Sequence, residues 1–208
     1  MHSVKVKLSL LAGAALFSLS AWANSPNAWW IDIKNDRATS VKEAIAKGQD
    51  VNAFNQSGHP PIIQAIRDNA IDVYDVLAAN PQTNVNIVNI NGETPLMYIA
   101  LVGDVGRAQK LIARGAQVNR LGWTPLHYAA SQGHVDMMKM LLANGAFPNA
   151  PAAEGSSPIY MAVGSKNKEA VQLLLNAGAD ALAVNQKGIS AFDLAHQLKL
   201  RNIIQILN

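Results

Sequence analysis

The sequence predicts an all-α solenoid of stacked helix–turn–helix repeats joined by short β-turn or hairpin fingers. Three observations carry this expectation. A short head motif recurs at a nearly fixed interval, most copies lead into two apolar-periodic stretches with a glycine stop, and the chain has no cysteine to staple it. The clearest copy reads Gly122-Trp123-Thr124-Pro125-Leu126-His127-Tyr128-Ala129-Ala130. The others are Pro60-Pro61-Ile62-Ile63, Thr94-Pro95-Leu96-Met97, Ser157-Pro158-Ile159-Tyr160 and Ser190-Ala191-Phe192-Asp193. Counted from Pro60, Thr94, Thr124, Ser157 and Ser190, the intervals are 34, 30, 33 and 33 residues. Each copy has a physical reading. Thr or Ser caps a helix through its hydroxyl, and Pro at the first helical position needs no amide partner. Small alanines then let two thin helical layers approach, and a glycine after the second helix takes the left-handed conformation that ends it.

A period close to 33 headed by Thr-Pro-Leu-His resembles the ankyrin repeat. In order, residues 1–23 read as a signal peptide and 24–208 as the repeat domain. An N-terminal cap spans about 24–53. Trp29, Trp30, Ile31 and Ile33 mark its first helix, and Val41 to Gly48 its second. The two tryptophans are read as cap packing rather than as a binding site. Repeats follow at about 54–88, 89–119, 120–151 and 152–184, with a C-terminal cap repeat at 185–208. The exit of the first of these is irregular: Asn80-Pro81-Gln82-Thr83-Asn84 stands where a Gly-Ala-Asp turn is expected, which accounts for the 34-residue interval. The finger before Thr124 is clipped to Arg120-Leu121-Gly122-Trp123, which accounts for the 30. Met137, Met138 and Met140 occupy core positions, and His127 and His134 fall at framework positions of the family.

The N-terminus carries the three parts of a secretory signal: Lys5 and Lys7, the apolar run from Leu8 to Ser20, and Ala21-Trp22-Ala23 before the expected cleavage. That run is shorter than the roughly 20 residues a membrane span requires. The expected mature chain is Asn24–Asn208, with no membrane span, exported to the periplasm or, alternatively, secreted. The full chain has 17 Lys+Arg against 14 Asp+Glu. Losing Lys5 and Lys7 leaves 15 against 14, which gives no reason to expect nucleic-acid binding. Absence of cysteine removes thiol catalysis and cysteine-based metal sites. No Gly-x-Ser-x-Gly elbow, phosphate-binding glycine loop or His-Glu-x-x-His occurs, so no catalytic, cofactor or metal residues are expected.

The resemblance implies a non-catalytic protein-binding module, here read as a monomer, using its finger tips and concave face. Register carries those positions onto His59, Ile90, Asn91, Glu93, Leu121, Trp123, Glu154 and Lys187 at the fingers. It also carries them onto Arg67, Leu101, Val102 and Gln132 at the helix ends, and onto Tyr98 and Tyr128 lining the groove. Trp123 leads this group as an exposed anchor extended by Leu101, Val102 and Leu121; the competing reading folds it back over the third repeat. Exported bacterial relatives of this kind include immunity-type inhibitors, and others that accompany peroxide defence. The expected function is therefore an exported binding module of an inhibitory or immunity type; the alternative is a structural or stress-protective protein without one high-affinity partner.

Overall fold

The computed structural model describes residues 26–208, so the expected signal segment and cleavage position lie outside the described residues. Among the described residues, twelve helices run in six antiparallel pairs. The first member of each pair is α1 (Pro26–Lys34), α3 (Pro61–Arg67), α5 (Pro95–Val102), α7 (Pro125–Gln132), α9 (Pro158–Gly164) or α11 (Ala191–Gln197). The second is α2 (Ala38–Ala46), α4 (Ile71–Ala79), α6 (Val105–Ala113), α8 (Val135–Ala143), α10 (Lys168–Asn176) or α12 (Arg201–Leu207). First helices pack on first helices and second on second, giving two layers. Between pairs, the fingers are turns; no strand occurs among the described residues.

Local chemistry sets each pair. In α5 the Thr94 hydroxyl accepts from the Met97 amide, and in α11 Ser190 and Asp193 cap one another reciprocally. Ala65, Ala129, Ala162 and Ala195 are all fully buried, and this alanine column lets the inner layer stack closely. Helices α5 and α7 end at Gly103 (φ 85°) and Gly133 (φ 69°). A Cβ at Gly133 would stand 2.9 Å from Asn167 Cβ, so this position requires glycine for space as well as for conformation. The outer layer is filled by Val73, Tyr74, Leu77, Leu111, Leu141, Val171, Leu174 and the three methionines, all buried. Trp29 is buried in the N-terminal cap, edge-on to Trp30 at 6.4 Å.

A side-chain amide ladder ties the outer turns together. Asn52 accepts from Asn84 N (2.9 Å), Asn86 from Gln117 N (2.8 Å), Asn119 from Phe147 N (2.9 Å) and Asn149 from Asp180 N (2.8 Å). The amide nitrogens of the same four residues donate to Gln82 O, Gly115 O, Gly145 O and Gly178 O at 2.7–2.9 Å. Each asparagine thus closes a two-bond clamp on the next repeat. At the irregular exit of α4, Arg114 from the following repeat reaches back to the carbonyls of Ala78, Asn80 and Thr83. Its guanidinium satisfies acceptors that a regular glycine turn would have covered.

Candidate binding notch

The fingers define the site. Asn55, Asn89 and Asn185 open the first, second and fifth fingers, their side-chain oxygens accepting two backbone amides each at 2.9–3.1 Å. Neighbouring fingers are joined by one backbone bond: Ile90 N donates to Gly58 O, and Gln186 N to Glu154 O, each at 3.0 Å. The clipped third finger breaks this row. Arg120 Nη1 donates instead to Gly92 O, the counterpart of Gly58 O, so a side chain takes the place of the missing backbone donor. On the far side, the amide of Ala153, counterpart of Ile90 and Gln186, makes no backbone hydrogen bond. The gap is a notch of about 400 Å³ lined by Asn91, Glu93, Arg120, Leu121, Trp123 and Tyr128, with Gly92, Met97, Gly122 and Ala153 completing it.

Glu93 is the electrostatic centre of the notch. Its Oε1 accepts from the Tyr128 hydroxyl (2.6 Å), and its Oε2 from the Tyr98 hydroxyl (2.6 Å) and Asn89 Nδ2 (2.7 Å). Arg67 Nη1 donates to the Tyr98 hydroxyl at 3.0 Å, and His59 Nδ1 lies 3.3 Å from Asn89 Nδ2. Burial works to raise the Glu93 pKa, but the bonds from Tyr128, Tyr98, Asn89 and Asn91 outweigh it and hold the carboxyl below its ordinary value. Burial, and then the bond to Glu93, raises both tyrosines. His59 is lowered by burial and by Arg67. Trp123 packs its ring edgewise on Tyr128 at 5.5 Å and tilted on His127 at 5.4 Å. His127 Nδ1 accepts from Thr124 N (3.2 Å), so Nε2 carries the proton it donates to Ser156 O (3.1 Å) across the repeat boundary.

The residues singled out from sequence separate by where the structure places them. Glu93, Asn91, Leu121, Trp123 and Tyr128 meet in the notch. Ile90, Val102, Gln132 and Lys187 are exposed outside it, with Ile90 at 76% and Leu121, on the notch rim, at 97%. Leu101 and Glu154 are half-buried, and Arg67 is exposed. His59 and Tyr98 are corrections: each is only 7% exposed, drawn inside by the Asn89–Glu93 network, so neither offers a surface to a partner. Trp123 is half-buried: its ring packs on His127 and Tyr128 of its own repeat, and it also lines the notch. Leu101 and Val102 do not line the notch with Leu121, since they lie at the far end of α5, about 10 Å along the helix from Pro95. Sequence reasoning missed Arg120, Asn89 and Ala153. The 30-residue interval was their signal, since it marks where a finger bond must be replaced.

Two helical layers of paired helices with projecting turns define a repeat scaffold. Family models agree: "Ankyrin repeats (3 copies)" matches residues 78–152 and "Ankyrin repeat" matches 154–186, together just over half of the chain. The chain belongs to the ankyrin repeat family. It is similar to ankyrin repeat and SAM domain-containing protein 6 of Rattus norvegicus, 31% identical over 65% of this chain and 12% of that protein. It is also similar to the neurogenic locus Notch protein of Drosophila melanogaster, 30% identical over 39% of this chain and 3% of that protein. The chain spans a small fraction of these relatives' length. An ankyrin repeat domain from Acinetobacter baumannii superposes with a TM-score of 0.73 at 24% identity, covering 88% of this chain and 97% of that one, and shares its fold. Ankyrin repeats are non-catalytic scaffolds that mediate protein–protein binding. Among the described residues no group of three or more His, Cys, Asp or Glu is placed to hold a metal, and no helix is long and apolar enough to cross a membrane.

Proposed function

We propose that this chain is a binding module that seats an exposed segment of one protein partner in the notch between its second and fourth fingers. The observation that carries the reading is the missing finger. The row of backbone bonds is interrupted there, the Ala153 amide has no backbone partner, and a concave space with aromatic, acidic and basic walls opens beside a fully presented Leu121. Such a mixed concave surface suits a protruding loop better than a flat face. The signal-like N-terminus supports export, with the periplasm as the working compartment and a monomer as the working form. Resemblance to exported ankyrin proteins supports an inhibitory or immunity-type use of that binding. Photocrosslinking in the native envelope from a probe at Leu121, with a probe at exposed Lys168 on the outer layer as control, tests this reading. One discrete adduct from position 121 alone is expected. Equal adducts from both positions, or none from 121, would remove the notch as the seat.

A further inference from the structure

We propose that the notch recognises a basic side chain, lysine or arginine, on an exposed loop of the partner, with the cationic head on Glu93 Oε1 and the stem along Trp123. This rests on the reading of the notch as the partner's seat and names the chemistry it selects.

The two oxygens of Glu93 are not equivalent. Oε2 takes the Tyr98 hydroxyl and the Asn89 amide, neither of which lines the notch. Of the close bonds, Oε1 takes the one from the Tyr128 hydroxyl, which does line it. A carboxylate offers about four acceptor sites; the three close bonds leave one, and the further side-chain donor to it, Asn91, is exposed and lines the notch, where an incoming cation can displace it. Glu93 is absent from every ion pair among the described residues. The two nearby cations are engaged elsewhere: Arg67 on the Tyr98 hydroxyl, and Arg120 on Gly92 O. An ionised, half-buried carboxylate with an acceptor site on the notch and no ion-pair partner is complementary to a cation.

The aromatic walls agree. Trp123 and Tyr128 meet at 67° with centroids 5.5 Å apart, a corner whose π-faces attract an ammonium or guanidinium and whose carbon edges cover its aliphatic stem. Arg120 uses only Nη1 in its bond to Gly92, so Nε and Nη2 remain available to a backbone carbonyl of the same loop. At about 400 Å³ the space takes one long side chain with the turn that carries it. An acidic side chain would be repelled by Glu93, and an apolar one would bury its charge without compensation.

A random cyclic-peptide library selected on the full chain is the probe. Selected peptides are expected to share a lysine or arginine whose replacement by norleucine weakens binding at least about tenfold on the native chain. That loss is expected to vanish on Glu93→Gln, whereas a purely structural role for Glu93 would weaken basic and norleucine peptides alike. The norleucine comparison needs no altered protein, so it stands even if Glu93→Gln folds poorly. Peptides without a common basic residue that bind equally to Glu93→Gln, yet fail on Trp123→Leu, would overturn the basic-side-chain inference and leave the notch as the seat. Enriched peptides that bind both variants normally, or no enrichment at all, would overturn both readings.

Discussion

Glu93 stays charged because three side-chain donors converge on it from the second finger, α5 and α7, and this makes one residue report on three elements. Its folded pKa lies below the ordinary 4.5, so the unfolded chain takes up the proton first as pH falls. The stabilisation from Glu93 is complete above 4.5 and is lost as pH falls through the lower folded value. Thermal melts across acid pH should therefore show the gap in Tm between the native chain and Glu93→Gln narrowing below pH 4.5. A constant gap would mean that the carboxylate is not the stabilising form. His127 follows the same sign. Burial lowers it from 6.5, so the neutral ring is the folded form and stability drops as pH falls below 6.5 towards the folded value. Gly133→Ala combines a φ of 69° with a Cβ 2.9 Å from Asn167 Cβ and should cost about 1–3 kcal/mol in denaturant titration.

Between elements, the asparagine ladder does more to register the stack than salt bridges do. Asn52, Asn86, Asn119 and Asn149 make two directed bonds at each of four successive turns, whereas cross-repeat ion pairs occur only at Arg107–Asp75, a two-bond fork, and at the largely exposed Lys139–Glu169 among the described residues. Asn119→Ala should lower unfolding free energy by about 1–2 kcal/mol, with Asn119→Asp recovering part of it through the retained acceptor. This level also marks what was legible in the sequence. Helix pairs were readable because Thr-Pro heads, buried alanines and glycine stops act within a few residues of one another. The 30-residue interval located the notch. Its lining was not readable, because Tyr128 meets Glu93 across 35 positions and Arg120 meets Gly92 across 28. The direction of a side chain at a clipped turn leaves no trace in a period. For the same reason Trp123, read as an outward anchor, lies across Tyr128 and His127, and His59, read as a finger tip, lies inside.

As a whole, the molecule is a row of near-identical units with one omission. In a solenoid each repeat touches only its neighbours, so a local change in one finger leaves distant junctions intact. Inserting three residues between Leu121 and Gly122 restores the 33-residue interval at this one place. The restored finger should fill the notch and release Arg120 from Gly92, changing thermal stability by no more than about 1 kcal/mol. It should also abolish partner binding, a separation of stability from binding that few single substitutions provide.

The most direct measurement is the crosslink from Leu121 compared between the native chain and the chain with its finger restored. The reading of the notch as the partner's seat predicts a discrete adduct in the native chain and its loss when the gap is filled, with both proteins folded and equally abundant. An adduct of the same mass and yield from both would place the partner elsewhere on the scaffold and contradict it.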